Sequence, residues 1–310
     1  MRNVPKALAW LLLLHASANA QTPSASAPAF RYGTSYTFER VSARRMVDDK
    51  FDRGAVTLVA NVYRPSKADR HEVVLFSHGS TGGWIASPKE SSGAPPLSVV
   101  EFFVSRGFTV VAPMRRGVGL STGVYREECP FHAGECTLAE NTAVSISGLE
   151  EAIRDTEAII DQVILGRLAT ANSKILLAGQ SRGGFLSLVV AGRRPQVVQG
   201  VVNFVGGWLS ISDQWPESEN TARLQFQGAQ LAATGKRALA PTVWIYGARD
   251  VNYSEIVTRG FFRTFTEAGG QGNYVFIADH TLPNGHNIVN QLPLWQDHVT
   301  RFLALLEQSR

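Results

Sequence analysis

The chain has 310 residues, of which 44% are hydrophobic and 18% are charged. Its 30 Lys and Arg residues against 26 Asp and Glu residues give a formal net charge of +4 at pH 7. This length and composition exclude a disordered, collagen-like or coiled-coil chain and predict a compact fold with a substantial core. The weak positive charge, without a dense run of Lys and Arg, argues against a nucleic-acid partner.

The first twenty residues have the pattern of a secretory signal. Two basic residues precede an apolar run over residues 7–14, and Ala18-Asn19-Ala20 offers a cleavage site. The run is shorter than the roughly 20 apolar residues that a membrane-spanning helix needs. We therefore expect cleavage after Ala20, a flexible leader over residues 21–30, and a secreted or periplasmic protein without stable membrane insertion. An uncleaved anchor is the alternative.

Residues 31–310 are predicted to form one domain. Extended signals at Tyr36 to Ser42 and Val56 to Tyr63 indicate a hairpin. From His71 onward, short apolar runs alternate with helical patterns, which is typical of a mainly parallel sheet covered by helices. The buried-strand candidates are Val73 to Ser77, Thr109 to Ala112, Ile175 to Ala178, Val198 to Phe204, Thr242 to Tyr246 and Tyr274 to Ala278. The helix candidates are Leu97 to Arg106, Leu138 to Leu168, Gly183 to Arg193, Tyr253 to Ala268 and Pro293 to Leu306.

The two cysteines, Cys129 and Cys136, are spaced C-x6-C. In an extracytoplasmic compartment this spacing can close a short loop through a disulfide. Two buried thiols are the alternative. A metal site is less favoured, because His132 is the only further ligand between them.

A strand–turn–helix context surrounds Ser181. Gly179-Gln180-Ser181-Arg182-Gly183 follows the apolar run Ile175 to Ala178 and opens a helix, which is the context that a G-x-S-x-G motif requires. The turn is so tight that side chains two before and two after the serine would collide, so glycine stands at both places. The serine would then be exposed in strained backbone at a helix N-terminus, where partial positive charge favours a developing anion. A glycine-rich turn with an incidental serine is the alternative.

On this motif and the order of elements, the chain resembles the α/β-hydrolase superfamily over nearly all of residues 36–308. In that superfamily the nucleophile comes first, the acid second and the histidine last. Asp250 and His286 each follow a predicted strand and stand where the superfamily keeps its acid and its histidine. The resemblance implies that His286 takes the proton of Ser181 and that Asp250 orients the imidazole.

Two nearby residues compete for these roles. His280 is the rival base, but it stands at a strand end, before the loop has room to turn back towards the serine. Asp279, beside it, is the rival acid. The sequence favours His286 and Asp250 over this pair.

The segment His78-Gly79-Ser80-Thr81-Gly82-Gly83 directly follows the strand Val73 to Ser77. The resemblance implies that two backbone N–H groups stabilise the oxyanion of the reaction. One belongs to Arg182, after the nucleophile, and the other to Ser80, with Thr81 as the alternative. By itself such a loop is also typical of phosphate binding. Together with the serine motif it indicates acyl transfer.

The stretch from Arg115 to Gly123, RRGVGLSTG, looks like a loop of the dienelactone-hydrolase-like and serine-aminopeptidase-like branches of the superfamily. We expect it beside the pocket, at the carboxyl end of the preceding strand. Arg115 or Arg116 would bind an acidic or carbonyl group of the substrate, or would form ion pairs that hold the loop. Dienelactone hydrolases proper use a cysteine nucleophile, so Ser181 leaves that specific activity outside the expectation.

Residues 207–237 lie between two strands, at a point where the superfamily inserts caps. Trp208 and Trp215, followed by an amphipathic segment through Leu231, would form a small cap over an apolar pocket, with Trp208 contacting the substrate. An ordinary surface helix with tryptophans in its packing face is an equal alternative.

The sequence therefore predicts an α/β-hydrolase fold, with a mostly parallel eight-stranded sheet flanked by helices and a small cap insertion. The predicted activity is cleavage of a small or oligomeric carboxylic ester through an acyl-enzyme on Ser181. No metal, nucleotide or flavin is implied. The alternatives are an amide or peptide hydrolase of aminopeptidase type with the same three residues, a non-catalytic binding protein on this fold, and an acyltransferase.

Overall fold

A computed structural model gives the fold and describes residues 36–48, 52–67, 70–81, 92–129, 136–169 and 173–309. The expected signal segment and leader, residues 1–30, lie outside these ranges. In the described ranges, no helix combines the length and the apolar character that crossing a membrane requires.

The described residues form one sheet of eight strands in the order β1-β2-β4-β3-β5-β6-β7-β8. The strands are β1 Tyr36–Asp48, β2 Arg53–Pro65, β3 Glu72–Ser77, β4 Phe108–Pro113, β5 Ile175–Gln180, β6 Val198–Phe204, β7 Thr242–Gly247 and β8 Gly272–Ile277. The helices are α1 Leu97–Val104, α2 Leu138–Ile159, α3 Arg182–Arg193, α4 Glu217–Gly235, α5 Glu255–Glu267 and α6 Leu292–Gln308. A π-helical stretch, Ile160–Leu168, continues α2, and a 3₁₀ turn, Gly285–Asn290, precedes α6.

The sheet is antiparallel at one end and parallel elsewhere. The hairpin of β1 and β2 pairs Tyr36 with Pro65 and Asp48 with Arg53, and β2 is antiparallel to β4. The pairs from β4 through β3, β5, β6 and β7 to β8 are all parallel. The predicted hairpin and the mainly parallel eight-stranded sheet are confirmed.

Two hydrophobic cores lie on opposite faces of the sheet, because successive side chains of a strand point to opposite sides. In β3, Val73 and Leu75 pack with buried residues of α2 and α3, whereas Val74 and Phe76 pack with α1 and α6. The apolar positions predicted for one face of the last helix, Trp295, Val299, Phe302 and Leu306, are all buried in the second core. Parallel strands covered on both faces read as short continuous apolar runs, which is why the sequence located them.

Helix α5 begins later than the sequence pattern indicates. Ser254 is its N-cap, and the Ser254 hydroxyl accepts a hydrogen bond from the N–H of Val257. The predicted start at Tyr253 is therefore wrong by two residues, because the Ser254 side chain accepts a hydrogen bond from a free backbone N–H group of the first helical turn. Tyr253 consequently lies in the loop that follows β7.

The segment expected as a cap contains a helix that connects two parallel strands. Helix α4 connects β6 to β7 and packs against α3 and α5. Its buried Gln227 accepts hydrogen bonds from the N–H groups of Trp208 and Leu209, at 2.7 and 3.1 Å. This packing fits the ordinary surface helix, the alternative that the sequence leaves open, and a cap over the pocket stays a prediction. An amphipathic pattern alone does not show which layer the apolar side covers.

Candidate active site

The loops that follow the parallel strands surround one pocket of about 620 Å³. Parallel strands carry their carboxyl ends to the same edge of a sheet, so residues far apart in the chain meet there. Its described wall includes His78, Ser80, Thr81, Glu128, Ser181, Arg182, Trp208, Tyr253 and His286. The pocket thus brings together the serine, the preferred histidine and the loop after β3, as the sequence predicts.

Ser181 occupies a strained turn between β5 and α3. Its backbone angles are φ 54° and ψ −123°, in a region that non-glycine residues rarely adopt. A Cβ at Gly179 would lie 2.2 Å from the carbonyl oxygen of Gly183, and a Cβ at Gly183 would lie 1.9 Å from that of Ser77. The two glycines of the motif are therefore required by close backbone contact, as the sequence analysis argues.

His286, which lines the same pocket as Ser181, forms a close pair with Asp250. His286 Nδ1 lies 3.0 Å from Asp250 Oδ2 and 3.1 Å from Oδ1. The Asp250 side chain is fully buried, and its Oδ1 also accepts the N–H of Asn252 at 2.8 Å. Asn284 fixes the other partner, because its Oδ1 accepts the N–H of His286 at 2.9 Å. With Nδ1 held by the carboxylate, Nε2 is the nitrogen left for the pocket.

The two rival residues lie elsewhere. His280 Nε2 contacts the carbonyl oxygen of Ala248 at 3.0 Å, and its Nδ1 lies 3.2 Å from an Arg249 guanidinium nitrogen. Asp279 is exposed, and neither residue lines the pocket. The geometry therefore places the imidazole–carboxylate pair at His286 and Asp250.

A buried arginine binds the backbone of the loop that follows β3. Arg115 Nη1 donates to the carbonyl oxygen of His78 at 2.8 Å, and Nη2 donates to that of Gly79 at 3.1 Å. Nη2 also donates to Glu127 Oε2 at 2.9 Å. Burial opposes ionisation of Glu127, but the Arg115 guanidinium outweighs it and holds the pKa of Glu127 below its ordinary value.

His78 is neutral at the base of this loop. Burial and the nearby Arg115 cation lower the pKa of His78 to about 3. Its Nδ1 lies 2.7 Å from the carbonyl oxygen of Gly79, and its Nε2 accepts the N–H of Arg115 at 3.4 Å. A neutral imidazole with one donating and one accepting nitrogen satisfies both contacts, so His78 supports the loop as a hydrogen-bonding group.

Glu128 anchors the residue expected to help form the oxyanion site. Its Oε1 accepts the hydroxyl of Ser80 at 2.7 Å and the hydroxyl of Tyr125 at 2.8 Å. Its Oε2 lies 3.6 Å from Arg182 Nη2. The side chains of Ser80 and Arg182 thus meet at one carboxylate, while Gly79 lies directly against Ser181.

Arg115 and Arg116 do not belong to the described wall of the pocket. Both are buried. Arg116 Nη2 donates to Glu151 at 2.8 Å, and its backbone N–H donates to Asp155 at 3.3 Å. The role of ion-pair partners that hold the loop, one of the two roles left open by the sequence, is the one this geometry fits.

Trp208 reaches the pocket but is tightly fixed. Its indole N–H donates to the carbonyl oxygen of Ser145 at 2.6 Å, and its carbonyl oxygen accepts Arg182 Nε at 3.0 Å. The residue is fully buried. It therefore forms a rigid wall, and direct contact with a substrate stays a prediction.

The predicted disulfide between Cys129 and Cys136 is present, with the two Cα atoms 6.4 Å apart. Cys129 directly follows Glu127 and Glu128, so the cross-link lies next to the carboxylates that hold the loop after β3. The backbone N–H of Cys129 donates to Asn141 Oδ1 at 2.8 Å, near the start of α2. The disulfide and α2 together hold the backbone at Cys129, next to Glu127 and Glu128.

Residues 72–243, more than half of the chain, match the family model described as alpha/beta hydrolase fold. The chain belongs to this family, as the motif and the order of strands indicate. Among curated proteins none matches this chain.

Solved structures show the same fold at low sequence identity. The Pyrococcus furiosus esterase Pf2001 is 15% identical, with a TM-score of 0.56 over 87% of this chain and 90% of that one. Est1E from Butyrivibrio proteoclasticus, solved with ferulic acid bound, is 15% identical, with a TM-score of 0.56 over 82% and 96%. The Pyrococcus horikoshii acylaminoacyl peptidase is 15% identical, with a TM-score of 0.54 over 87% of this chain and 42% of that one. Esterases and a peptidase thus share this fold.

Sequence reasoning missed three contributors to the pocket and its support, namely Glu127, Glu128 and Tyr253. The carboxylates follow no strand and belong to no motif, so only their contacts show their role. Tyr253 offered a weak signal, because it stands three residues after Asp250 in a turn that this carboxylate caps.

Proposed function

We propose that this protein is a serine hydrolase that cleaves carboxylic esters through an acyl-enzyme on Ser181. The observation that carries the proposal is one pocket lined both by a serine on a strained strand-to-helix turn and by a histidine that is paired with a buried carboxylate at 3.0 Å. That combination supplies a nucleophile, a base and a group that orients the base.

In the first half of the reaction, Ser181 Oγ attacks the ester carbonyl carbon while its proton passes to His286 Nε2. The π electrons of the carbonyl move to its oxygen, and the backbone N–H groups of Ser80 and Arg182 stabilise that oxyanion. When the intermediate collapses, the bond to the alkoxy group breaks and His286 returns the proton to the departing alcohol. Asp250 stabilises the imidazolium in between.

In the second half, a water molecule attacks the acyl carbon and gives its proton to His286. The bond between that carbon and Ser181 Oγ then breaks, and the proton on His286 passes to Oγ. The carboxylic acid is released and the enzyme returns to its starting state. The imidazole of His286 therefore carries both protons: that of Ser181 goes to the departing alcohol, and that of water goes to Ser181 Oγ.

The described wall of the pocket favours a short or polar acyl group. Asn252, Asn287 and Asn290 line it together with Gln180 and Glu128. Amide and carboxylate groups lose hydration when they face an alkyl chain, which disfavours long acyl chains. A series of p-nitrophenyl esters from acetate to decanoate tests this, and we expect kcat/KM to fall as the chain lengthens.

Labelling with a fluorophosphonate, followed by mass spectrometry of the modified peptide, tests the mechanism. Wild-type protein should be modified at Ser181, and Ser181→Ala and His286→Ala should abolish labelling. His280→Ala is the matched control, because it removes the rival imidazole outside the pocket and should leave labelling unchanged. If folded wild-type protein is not labelled, the serine hydrolase proposal fails and a non-catalytic binding protein becomes the favoured function.

An amide hydrolase is the second candidate, since the same three groups can cleave a peptide bond. Comparison of kcat/KM for a p-nitrophenyl ester and the matching p-nitroanilide separates the two. We expect the ester to be strongly preferred, and comparable rates would favour the peptidase.

The proposed location of the protein is outside the cytoplasm, either secreted or periplasmic. The charged, apolar and small-residue pattern of residues 1–20 and the Cys129–Cys136 disulfide support it. The mass of the protein purified from the medium or the periplasm tests it, because cleavage after Ala20 leaves Gln21 at the N-terminus.

A further inference from the structure

The backbone of His286 is bound on both sides by the amide side chains of other residues. Its N–H donates to Asn284 Oδ1 at 2.9 Å, and its carbonyl oxygen accepts Gln180 Nε2 at 3.2 Å. Neither amide is one of the three groups of the proposed mechanism. Because a single CH₂ group joins the imidazole to this backbone, the two contacts restrict where the ring lies relative to Asp250 and Ser181.

Asn284 joins the loop of His286 to the loop of Asp250. Its Oδ1 also accepts the N–H of Val251, the residue after Asp250, at 3.3 Å. The two loops are in close contact here, since a Cβ at Gly285 would lie 2.2 Å from a carbonyl oxygen of the other loop. One side-chain oxygen thus receives an N–H from each of the two loops that supply the imidazole–carboxylate pair.

Gln180 joins His286 to the turn that carries Ser181. It is the last residue of β5, directly precedes the serine and lines the pocket. Its backbone is held in the sheet, where it pairs with Phe204 of β6. A side chain on a strand starts from a more rigid position than one on a loop. The amide of Gln180 therefore links the histidine to a fixed part of the serine turn.

We propose that Asn284 and Gln180 are positioning residues that hold the imidazole of His286 between Asp250 and Ser181; this rests on the proposed serine hydrolase function. Asn284 keeps Nδ1 at the carboxylate, and Gln180 keeps Nε2 directed at the serine turn. Proton transfer requires hydrogen-bond distances, and a misplacement of about 1 Å can lower a rate by about 100-fold. Neither amide exchanges a proton in this role, so the steps of the reaction stay as written above.

The two hydrogen bonds have opposite polarity, because Asn284 accepts and Gln180 donates. An aspartate at position 284 still accepts, and aspartate is as favourable as asparagine where a side chain caps the first N–H groups of a helical turn. An ionised glutamate at position 180 has no hydrogen to donate, so its oxygen would face a carbonyl oxygen. The same change of amide to carboxylate should therefore be tolerated at position 284 and should slow the reaction at position 180.

The first test compares these two carboxylate variants. It measures the rate constant of fluorophosphonate labelling at Ser181 and the kcat for a p-nitrophenyl ester. We expect Asn284→Asp to stay within about three-fold of wild type and Gln180→Glu to be slower by roughly 10- to 100-fold. Both variants gain one negative charge, so equal rates in the two would overturn the proposal.

Asn284→Ala and Gln180→Met remove the same contacts without adding charge. Each should lower the labelling rate constant by roughly 10- to 100-fold, while circular dichroism shows a folded protein. Recovery of the rate in Asn284→Asp relative to Asn284→Ala would show that the acceptor oxygen is the group that matters. Labelling of either uncharged variant at the wild-type rate would overturn the role of that residue.

The proton on His286 Nδ1 gives a second readout. A hydrogen bond to an ionised carboxylate is short and strong, and its proton resonates far downfield in one-dimensional NMR of the whole protein. Asn284→Ala should shift or broaden this signal, because it loosens the imidazole–carboxylate pair, whereas Gln180→Met should leave it in place. An unchanged signal in Asn284→Ala would overturn the role of Asn284, and its loss in Gln180→Met would overturn the role of Gln180.

The two readouts separate this proposal from the proposed function. If wild-type protein is not labelled at Ser181, the serine mechanism fails, and the NMR signal alone decides whether Asn284 holds the pair. If wild type is labelled with dependence on His286 and the variants at positions 284 and 180 are labelled equally fast, only the positioning role fails.

Discussion

The two sides of Ser181 are built from different interactions. On the β3 side, buried charges hold the loop, with Arg115 bound to Glu127 and to two backbone carbonyl groups. On the β6 side, neutral groups add to the contact of Arg182 with the carbonyl oxygen of Trp208: the hydroxyl of Tyr246 donates to the carbonyl oxygen of Gly206 at 2.7 Å, and Gln227 binds the backbone N–H of Trp208. A buried charge is costly without its partner, whereas a neutral hydrogen bond contributes modestly. The β3 side should therefore be more sensitive to mutation and to pH.

The largest expected effect is on the β3 side. Glu127→Gln removes the negative partner of Arg115 and leaves a buried cation, which costs about 3–5 kcal/mol of unfolding free energy. Urea unfolding followed by circular dichroism measures it. The control is Glu39→Gln, which removes an exposed partner of Arg64 and should cost no more than about 1 kcal/mol. Equal losses in the two variants would contradict the comparison.

The disulfide next to Glu128 should have the second largest effect. Replacing Cys129 and Cys136 by serine reopens a short loop and should lower stability by about 2–3 kcal/mol, since the cross-link restricts the unfolded chain. Urea unfolding of the double variant measures the loss, and wild type with a reductant should reproduce it. An unchanged midpoint for the reduced wild type would show that the cross-link does not support this side.

The pH dependence of stability is the third test. His78 has a pKa of about 3 in the folded protein, against 6.5 for an ordinary histidine. Below pH 6.5 the unfolded chain binds the extra proton, so stability falls as the pH drops from about 6.5 towards 3. Between pH 8 and pH 5 this amounts to about 2 kcal/mol. Urea unfolding of His78→Asn at both values should show a smaller difference than wild type, and an equal difference would exclude His78 as the cause.

The smallest expected effect lies on the β6 side. Tyr246→Phe removes one buried hydroxyl that donates to Gly206 and accepts from Asn203, at 2.7 and 3.2 Å. The expected cost is about 1 kcal/mol, because only neutral hydrogen bonds are lost. Thermal and urea unfolding measure it. A loss as large as that of Glu127→Gln would remove the distinction between the two sides.

Local signals predicted much of the fold and the placement of the candidate site. The serine turn was accessible because its two glycines are forced by contacts within a few residues, as Gly179 and Gly183 show. Buried parallel strands were accessible because both faces are apolar. His286 and Asp250 were accessible only through the resemblance, which fixes the order of roles along the chain; their catalytic roles stay predictions until the labelling experiment is done.

Local sequence signals did not predict which residues pair with each charged side chain, or which layer of the fold each helix covers. The pattern of α4 is the same whether its apolar side covers a pocket or the sheet, and only the structure shows that it packs against α3 and α5. The sequence allows Arg115 either to bind substrate or to hold the loop, and only its contacts with Glu127 and the carbonyl groups of the loop after β3 favour the second role.

The sequence by itself determined the serine turn, the alternation of strands and helices, and the spacing that allows the disulfide, because these depend on neighbouring residues and on periodic burial. Only the tertiary structure decided which charges pair under the loop after β3 and which aromatic ring lies beside His286. Those contacts depend on which strands are neighbours in the sheet, and that order is a property of the whole packed chain.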